Sequence, residues 1–332
     1  MRQTNRIVLA LAATIVFGAA QSVFAADATG SFTRTLKVTG NVDLEVSTGA
    51  GNITVKSGDN TDVYISAKIR ANNGGGWFGS GSGLSAEEKV KRIEANPPIE
   101  QNGNTISIGH IEDRELRQNV SISYEITVPA ETKTRTQTGS GDQTIQDING
   151  PLRAQTGSGN VHVSKIGSET RVSTGSGDVR IDDIKGRVYA NTGSGSVEAR
   201  GVSGGFSAET GSGDVTLEQA SPGDVVAKTG SGSVKLKNVR GAVEARTGSG
   251  EVEVNGDPTG EWEIHTGSGS ITLQVPSQIG FDLDARSSSG SVTVNRPVTV
   301  QGTMRRNRIQ GKIGSGGVLL SLETGSGDIR LE

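Results

Sequence analysis

Apolar and polar residues alternate in short runs through most of this chain, and glycine-rich corners separate the runs. The stretch 174–191 is representative, because two alternating runs flank a pair of aspartates and a single isoleucine. Alternation with period two is the pattern of a strand that buries one face. The side chains expected on the buried face of this stretch are Val179, Ile181, Ile184, Val188 and Ala190.

From residue 138 to residue 266 the cycle returns every 18 or 19 residues, and each cycle begins with the tetrapeptide Thr-Gly-Ser-Gly. Such a period predicts supersecondary units that stack on their neighbours. We therefore predict an all-β fold, a β-solenoid (parallel β-helix) with coils of about 18 residues. Its glycines are expected at corners where φ is positive or where stacked backbones approach closely. Full copies begin at Thr138, Thr156, Thr174, Thr192, Thr210, Thr229, Thr247, Thr266 and Thr324, and variants begin at Thr48 and Ser287.

Residues 1–25 have the pattern of a signal peptide. Arg2 and Arg6 form a basic start, a mostly apolar stretch follows, and small residues lead up to Ala25, where we expect cleavage. The apolar stretch is short for a membrane span of about 20 residues, although an uncleaved anchor is the alternative. We expect an exported protein, in the periplasm or at the cell surface or secreted, with no transmembrane segment after signal removal.

Residues 26–128 follow the repeat less closely, and we predict an irregular N-terminal β portion there. It contains a polar, glycine-rich loop over 72–83, which we expect to be flexible. It also contains one short helix over 85–93, because Ser85 and Glu88 have the spacing of a capping box. We expect this portion to start the same sheets and to cover their first edge.

Residues 129–332 form the solenoid repeat array, which an irregular segment over 296–322 interrupts. Within that segment, 309–322 has the pattern of a hairpin around its glycines. The chain then closes on a repeat strand without a cap after it. Because exposed sheet edges invite pairing, we expect this end to be a contact surface, with edge-to-edge self-association as one outcome.

Composition narrows the classes of function. The chain has 49 glycines, 3% aromatic residues and no cysteine, so we expect a narrow core without disulfides or thiolate metal sites. The formal net charge is −3 at pH 7, and both signs are interspersed. Nothing in this balance favours nucleic acid as a partner.

The position after each tetrapeptide is occupied mostly by Asp, Asn or Ser. A column of carboxylates one coil apart is a candidate calcium site, but no two consecutive coils of the array carry Asp there. The same residue types are ordinary turn residues that bond to their own backbone, and we favour that role while calcium stays open. The column consists of Asp142, Asn160, Asp178, Ser196, Asp214, Ser233, Glu251, Ser270, Ser291 and Asp328.

Three features bear on catalysis. The run 201–205 matches the Gly-x-Ser-x-Gly nucleophile elbow, but that motif needs a strand-to-helix turn, and here it falls at an ordinary corner. His110, His162 and His265 are too scattered for a metal site. Some β-helices act on polysaccharides, yet the clustered acids and bases of such enzymes are not apparent here. We predict no catalytic residue, no metal and no cofactor; a polysaccharide-acting enzyme is the alternative.

Two clusters are candidates for partner contact. Trp77 and Phe78 form an adjacent aromatic pair in the loop, where they dock a partner or fold back as a lid. Arg305, Arg306 and Arg308 form a basic cluster, which contacts an anionic partner or is a solvated face. The partner that we expect is a protein or another cell-surface component.

Two stretches resemble a bacterial protein family. They are residues 124–129 (Tyr-Glu-Ile-Thr-Val-Pro), which lead into the array, and the closing run 316–331. From about Leu36 to its C-terminus the chain is similar to the exported β-strand-repeat "putative adhesin" family, a domain of unknown function. The resemblance implies a β-solenoid outside the cytoplasm, and it supplies no catalytic residues.

The residues and the resemblance lead to one expectation for function. We expect a non-enzymatic exported scaffold or adhesin-like protein that presents an elongated β-surface at the bacterial cell envelope. The alternative is an envelope-stress or signalling accessory that binds a membrane protein or peptide through Trp77 and Phe78 or through a sheet edge.

Overall fold

The structure is a computed structural model that describes residues 27–58, 61–72, 83–300 and 305–332. These residues form two long sheets, one of 14 strands (sheet I) and one of 15 strands (sheet II). A winding is one pass of the chain through sheet II and then sheet I, and we name each winding by the first residue of its tetrapeptide. Residues 1–25 and most of the loop over 72–83 lie outside the described residues.

The elements follow one another in three groups along the chain. The N-terminal group is β1 (Ala28–Lys37), β2 (Val42–Ala50), β3 (Ile53–Ser57), β4 (Asp62–Ala71), α1 (Ala86–Ala95), β5 (Ile99–Asn102), β6 (Thr105–Ile108), α2 (Arg114–Arg117) and β7 (Val120–Val128). The central group is β8 (Thr132–Ser140), β9 (Gln143–Gln146), β10 (Leu152–Ser158), β11 (Val161–Ile166), β12 (Thr170–Thr174), β13 (Val179–Ile184), β14 (Val188–Thr192), β15 (Val197–Val202), β16 (Phe206–Thr210), β17 (Val215–Gln219), β18 (Val225–Thr229), β19 (Val234–Arg240), β20 (Val243–Ser249), β21 (Val252–Asp257), β22 (Trp262–Ser268) and β23 (Ile271–Gln274). The C-terminal group is β24 (Phe281–Ser289), β25 (Val292–Val294), β26 (Val298–Val300), β27 (Arg308–Ile313), β28 (Leu319–Ser326) and β29 (Ile329–Leu331).

In the central group each winding stacks on its predecessor in the chain. Even-numbered strands lie in sheet II and odd-numbered strands in sheet I, and neighbouring strands pair in parallel. The register repeats from one winding to the next, so that Val188 pairs with Phe206 and Thr192 with Thr210. The predicted all-β solenoid with parallel pairing is therefore confirmed.

The interior between the two sheets is narrow and packed with apolar side chains. All five side chains expected on the buried face of the stretch 174–191 are at most 4% exposed. Phe206, Trp262 and Phe281 are also buried, and the indole N–H of Trp262 donates to the carbonyl oxygen of Gly241 at 3.0 Å. Because each winding buries only a few apolar side chains, it depends on its neighbours for stability.

At the N-terminal end the order of windings in space differs from their order in the chain. β2 pairs in parallel with β8, and Thr48 lies opposite Thr138. β6 and β7 come later in the chain, yet they pair with the outer side of β2 and β3. The solenoid therefore begins at β2, within 26–128, and not at residue 129 as the spacing of the full tetrapeptides predicts.

The C-terminal end shows the same inversion. β28 carries the last tetrapeptide and pairs with β22 on one side and β24 on the other. β29 likewise lies between β23 and β25. The expectation that the chain closes on an exposed edge strand is therefore wrong. Leu320 and Leu322 align with Trp262 and Ile264 in register, which places this strand inside the stack.

Strands β26 and β27, which fall within the segment 296–322, cover the C-terminal end of sheet II. β27 runs antiparallel to both β24 and β26, and β24 separates it from β28. The hairpin predicted over 309–322 is therefore wrong, because its second strand pairs as a repeat strand and not with β27.

The N-terminal end is covered by antiparallel strands and by helix α1. β4 lies between β1 and β7 and is antiparallel to both. Ser85 Oγ accepts from Glu88 N–H at 3.2 Å, and Ser85 N–H donates to the Glu88 carboxylate at 2.9 Å. This second bond is the main reason that the pKa of Glu88 is lowered. The helix expected over 85–93 continues to Ala95.

A second short helix, α2, was not expected from the sequence. The Asp113 carboxylate caps it by accepting from Glu115 N–H at 2.8 Å. Neither described helix is long and apolar enough to cross a membrane.

Candidate functional site

The tetrapeptide corners join sheet II to sheet I, and their glycines touch the winding before them. A Cβ atom at Gly213 would lie 2.0 Å from the carbonyl oxygen of Gly195, and a Cβ at Gly211 would lie 2.4 Å from that of Gly193. The same contact recurs at the corresponding glycines along the stack. These glycines are therefore required by close approach of one backbone to the next.

The threonine of each tetrapeptide is buried and bridges two windings. Thr210 Oγ1 donates to the carbonyl oxygen of Gly195 at 2.7 Å and accepts from Gly213 N–H at 3.2 Å. In the outermost C-terminal winding a serine takes the same place, and Ser287 Oγ donates to the carbonyl oxygen of Gly327 at 2.8 Å. Each hydroxyl thus satisfies a backbone oxygen that the corner would otherwise leave unpaired.

The column after the tetrapeptide forms a second ladder of hydrogen bonds. Asp178 Oδ1 accepts from Ser196 N–H at 2.8 Å, and Ser196 Oγ accepts from Asp214 N–H at 3.2 Å. At the C-terminal end Asp328 Oδ1 accepts from Ser291 N–H at 2.9 Å, which is the main reason that the pKa of Asp328 is lowered. These side chains bond to the backbone of the next winding, whereas the sequence suggested bonds to their own backbone.

The calcium alternative finds no matching geometry in the described part of the chain. Among those residues no group of three or more Asp, Glu, His or Cys side chains is placed to hold a metal ion.

We call the tetrapeptide corners the seam. Through the glycine contacts and the threonine hydrogen bonds, the seam holds neighbouring windings together.

The opposite corner, which returns the chain from sheet I to sheet II, carries positive φ angles at residues other than glycine. Asp147, Lys165, Asp183 and Asn238 have φ between 53° and 60°, and Gly201 has φ of 69°. Asp and Asn tolerate this left-handed conformation because their side chains bond locally. At this corner, residues other than glycine therefore adopt the left-handed conformation in several windings.

On the outer face of sheet I, basic side chains pair with acidic side chains on the same strand or on the neighbouring strand. Arg180 Nε lies 3.1 Å from Asp182 Oδ2, and His162 Nε2 lies 3.3 Å from the same oxygen. Lys235 Nζ lies 2.5 Å from Glu253 Oε2 in the next winding. Exposed pairs of this kind contribute little to stability, but they leave few unpaired charges on this face.

The C-terminal half of the outer face of sheet II is also paired. Lys228 Nζ lies 2.8 Å from Glu244 Oε1. Arg286 Nη2 lies 2.9 Å from Glu323 Oε2, and this hydrogen bond lowers the pKa of Glu323. Opposite charges on neighbouring strands therefore compensate each other in this half.

The N-terminal half of the same face is different, because it carries three arginines in register. Arg135 pairs with Arg153, and Arg153 pairs with Arg171, on strands β8, β10 and β12. We call these three residues the arginine row. Like charges directly opposite each other on neighbouring strands destabilise a sheet, so each arginine of the row needs a partner that offsets its charge.

Tyr189 follows Arg171 in the same register on β14. The guanidinium carbon of Arg171 lies 4.0 Å from the centre of the Tyr189 ring, and Arg171 Nε donates to Glu169 Oε1 at 2.8 Å. A hydrogen bond to Tyr189 raises the pKa of Arg187, and the Arg187 side chain lies across Gly205, where a Cβ would be 2.9 Å from its Nε. Two guanidinium groups thus hold the half-buried tyrosine in place.

Arg153 stands between the two other arginines of the row. Arg135 pairs with Asp43 at 3.2 Å, whereas Arg153 makes no ion pair or hydrogen bond through its side chain among the described residues. A groove of about 340 Å³ runs along this part of the face. Its lining includes Arg153, Gln155, Arg171, Ser173, Tyr189 and Asn191.

The contact residues expected from the sequence lie elsewhere. Trp77 and Phe78 fall outside the described residues. Arg305, Arg306 and Arg308 are exposed; the first two lie on the turn before β27, and Arg308 begins that strand. Val292 N–H donates to the carbonyl oxygen of Arg306 at 2.9 Å. This turn therefore lies against the outermost C-terminal winding, and the cluster's role in partner contact stays a prediction.

The arginine row was missed in the sequence, although a signal for it exists. Each arginine of the row stands three residues before the threonine of a tetrapeptide, and the alternation places that position on the outer face. Three consecutive repeats with arginine there indicate a line of positive charge along the stack.

The profile described as Toastrack DUF4097 matches residues 33–332. No curated protein matches the chain.

Several solved structures are similar over nearly the whole length. A putative adhesin from Bacteroides fragilis is 13% identical, with 91% of this chain and 97% of that chain covered and a TM-score of 0.37. A putative lipid binding protein from Parabacteroides distasonis is 14% identical, with the same coverage and a TM-score of 0.43. A putative cell adhesion protein from Clostridium sporogenes is 12% identical, with 92% and 99% covered and a TM-score of 0.21.

Proposed function

The chain belongs to the Toastrack DUF4097 family, and we propose that it is an exported, non-enzymatic protein that binds a component of the bacterial cell envelope along its β-surface. The observation that supports this most is the N-terminal half of the outer face of sheet II. There Arg153, Gln155 and Asn191 line a groove and direct no side-chain hydrogen bond to other described residues. Such a face, crossing many strands, suits an extended ligand.

Binding fits the groove better than catalysis does. Glycoside hydrolysis needs two carboxyl groups that face each other across the bond to be broken. The described lining of the groove contains a single carboxylate, Glu209, among arginine, amide and hydroxyl side chains. These groups hold and orient a ligand, and they do not form the pair of carboxyl groups that hydrolysis requires.

Export is supported by the signal-peptide pattern of residues 1–25. The chain carries no cysteine, so strand pairing and the seam stabilise it without disulfides. A protein built in this way suits an envelope location, where it presents the outer face of sheet II to other envelope components.

Fractionation of a bacterial host that expresses the full, C-terminally tagged chain tests the location. We expect the chain in the exported fraction, and we expect a variant that lacks residues 2–25 to stay in the cytoplasm. Protease treatment of intact cells then separates a surface location from a periplasmic one. If the full chain stays in the cytoplasm, the proposal fails.

Binding and catalysis are tested with the purified mature chain. We expect it to sediment with isolated envelope fractions and not with cytosolic protein. Incubation with a panel of polysaccharides should release no shortened products, and product release would overturn the non-enzymatic part of the proposal. Capture of a membrane protein that is lost when residues 73–82 are deleted would favour the accessory role instead.

A further inference from the structure

We propose that the arginine row and Tyr189 bind an acidic polysaccharide, with the sugar chain lying along the row and its carboxylates on the guanidinium groups. This inference rests on the proposed envelope-binding function and names the chemistry of the ligand. The site consists of Arg135, Arg153, Arg171 and Tyr189 on four neighbouring strands of sheet II.

Charge identifies the ligand as an anion. Arginines in register on neighbouring strands repel one another. Asp43 offsets this for Arg135 and Glu169 does so for Arg171, whereas Arg153 has no carboxylate partner among the described residues. An anion that lies on the row relieves this repulsion and supplies the missing partner. Guanidinium groups bind carboxylates through two parallel hydrogen bonds, which makes arginine well suited to this role.

The spacing favours a polymer over a small anion. Neighbouring strands lie about 4.8 Å apart, so the row repeats a positive charge at that interval along the stack. One sugar ring in an extended acidic glycan advances by a similar length. An extended sugar chain along the stack can therefore place those carboxylates that face the sheet close to the guanidinium groups of the row.

The side chains next to the row can recognise sugar hydroxyls. Gln137, Gln155, Ser173 and Asn191 form the next register on the same face. Amide and hydroxyl groups both donate and accept hydrogen bonds, as sugar hydroxyls do. Tyr189 adds an aromatic ring whose position is held by Arg171 and Arg187.

The extent of the site favours one narrow sugar chain over a membrane surface. Glu45 lies opposite Arg135 at one end of the row. Beyond Tyr189 the same register continues with Ser207 and Val226 and then reaches Glu244. A flat anionic bilayer would meet Glu45 and Glu244 as well, whereas a sugar chain of a few residues along the row would end before it reached them.

Calorimetric titration of the purified mature chain with oligogalacturonate tests the inference. The fully methyl-esterified oligomer is the matched ligand, since it has the same backbone without charge. The test variant is Arg153→Gln/Arg171→Gln. The matched control is Arg180→Gln/Arg200→Gln, which removes the same charge from the outer face of sheet I.

We expect the wild-type chain to bind the acid and not the ester. The test variant should bind at least about tenfold more weakly, because it loses two charge-assisted contacts, while the control changes little. The acid should also raise the melting temperature of the wild type and the control but not that of the test variant.

Three results would overturn the inference. They are equal binding of acid and ester, equal loss in both double variants, and tighter binding to phosphatidylglycerol vesicles that the test variant abolishes. If envelope fractions still bind the chain in those cases, the proposed function stands and only the acidic glycan is wrong. If neither the envelope fractions nor the glycan binds, both proposals fail.

Discussion

The seam and the outer face of sheet II lie only a few residues apart in every winding, yet residue types repeat in the seam and vary on the outer face. The seam repeats the same residue types because each corner contacts an identical corner in the winding before it. The outer face changes from winding to winding, because its side chains point away from the stack. In register from β8 to β22 it reads Arg135, Arg153, Arg171, Tyr189, Ser207, Val226, Glu244 and Glu263.

This difference separates structural from functional residues in a solenoid. A residue that recurs in every winding is held there by contact with the next winding. A residue that departs from its neighbours in register is free of that constraint and is available for a ligand. The tetrapeptide, which is the most conspicuous motif of the chain, is therefore structural, and the less regular arginine row is the candidate site.

The largest expected effect comes from adding a side chain to the seam. Gly213→Val places a Cβ atom 2.0 Å from the carbonyl oxygen of Gly195, so the two windings must separate. We expect a loss of at least about 3 kcal/mol in the free energy of unfolding, or failure to fold. Thr216→Val, on the outer face of sheet I, should change it by about 0.5 kcal/mol or less. Equal urea midpoints for the two variants would contradict the stacked seam.

The hydroxyl of the seam should matter next. Thr210→Val keeps the shape of the side chain but leaves the carbonyl oxygen of Gly195 and the N–H of Gly213 without their partner. We expect a loss of about 1–3 kcal/mol in urea unfolding. Thr210→Ser is the matched control, because Ser287 makes the same bond in another winding. A valine variant as stable as the serine variant would show that the hydroxyl contributes nothing.

The central windings could be predicted from the sequence, whereas the order of the end windings could not. The period defines the strands, their buried faces and their corners, and these hold from β8 to β23. Every winding, however, offers its neighbour nearly the same register of Thr, Gly and apolar side chains. β28 can therefore fit against β22 as well as β24 can. Connecting segments and the antiparallel covers decide between these arrangements, and periodicity does not describe them.

Only part of the candidate site could be predicted from the sequence. The pattern predicts that Arg153 faces outwards, but it does not show which outer charges find partners across the sheet. Arg246 and Arg286 also face outwards, yet both pair with glutamates on neighbouring strands. That distinction depends on strand neighbours, and at the C-terminal end those neighbours are not the ones that the chain order suggests.

The ladder after the tetrapeptide should contribute less than the buried hydroxyl, because it is exposed to water. Asp178→Ala removes the acceptor for Ser196 N–H, and we expect a loss of about 0.5–1 kcal/mol. Asp178→Asn retains an acceptor oxygen, as Asn160 does in its own winding, and should stay close to wild type. A variant with asparagine that is as unstable as the one with alanine would mean that charge, and not the hydrogen bond, matters there.

Removing an arginine from the row should not destabilise the fold, in contrast to the substitutions in the seam and the ladder. Arg153→Gln removes one of three like charges in register, so the free energy of unfolding should stay within about 0.5 kcal/mol of wild type or rise slightly. Thermal unfolding without ligand measures this, with Arg180→Gln as the control that breaks an ion pair on the other face. A clear loss of stability in Arg153→Gln would make the row structural and would remove the contrast with the seam.

The smallest effect is expected at Asp328 and only in acid. Its folded-state pKa lies below the ordinary value of 3.8, chiefly because Ser291 N–H donates to the carboxylate. The charged form therefore stabilises the fold above the ordinary pKa, and this contribution is lost as the pH falls through the folded-state value. Asp328→Asn keeps a neutral acceptor, so its urea midpoint should depend less on pH below about 4 than that of wild type. If the urea midpoints of wild type and Asp328→Asn differ by the same amount from pH 7 to pH 3, the bond to Ser291 does not depend on the charge of Asp328. The ladder would then stabilise the fold through neutral hydrogen bonds, as the threonine hydroxyls of the seam do.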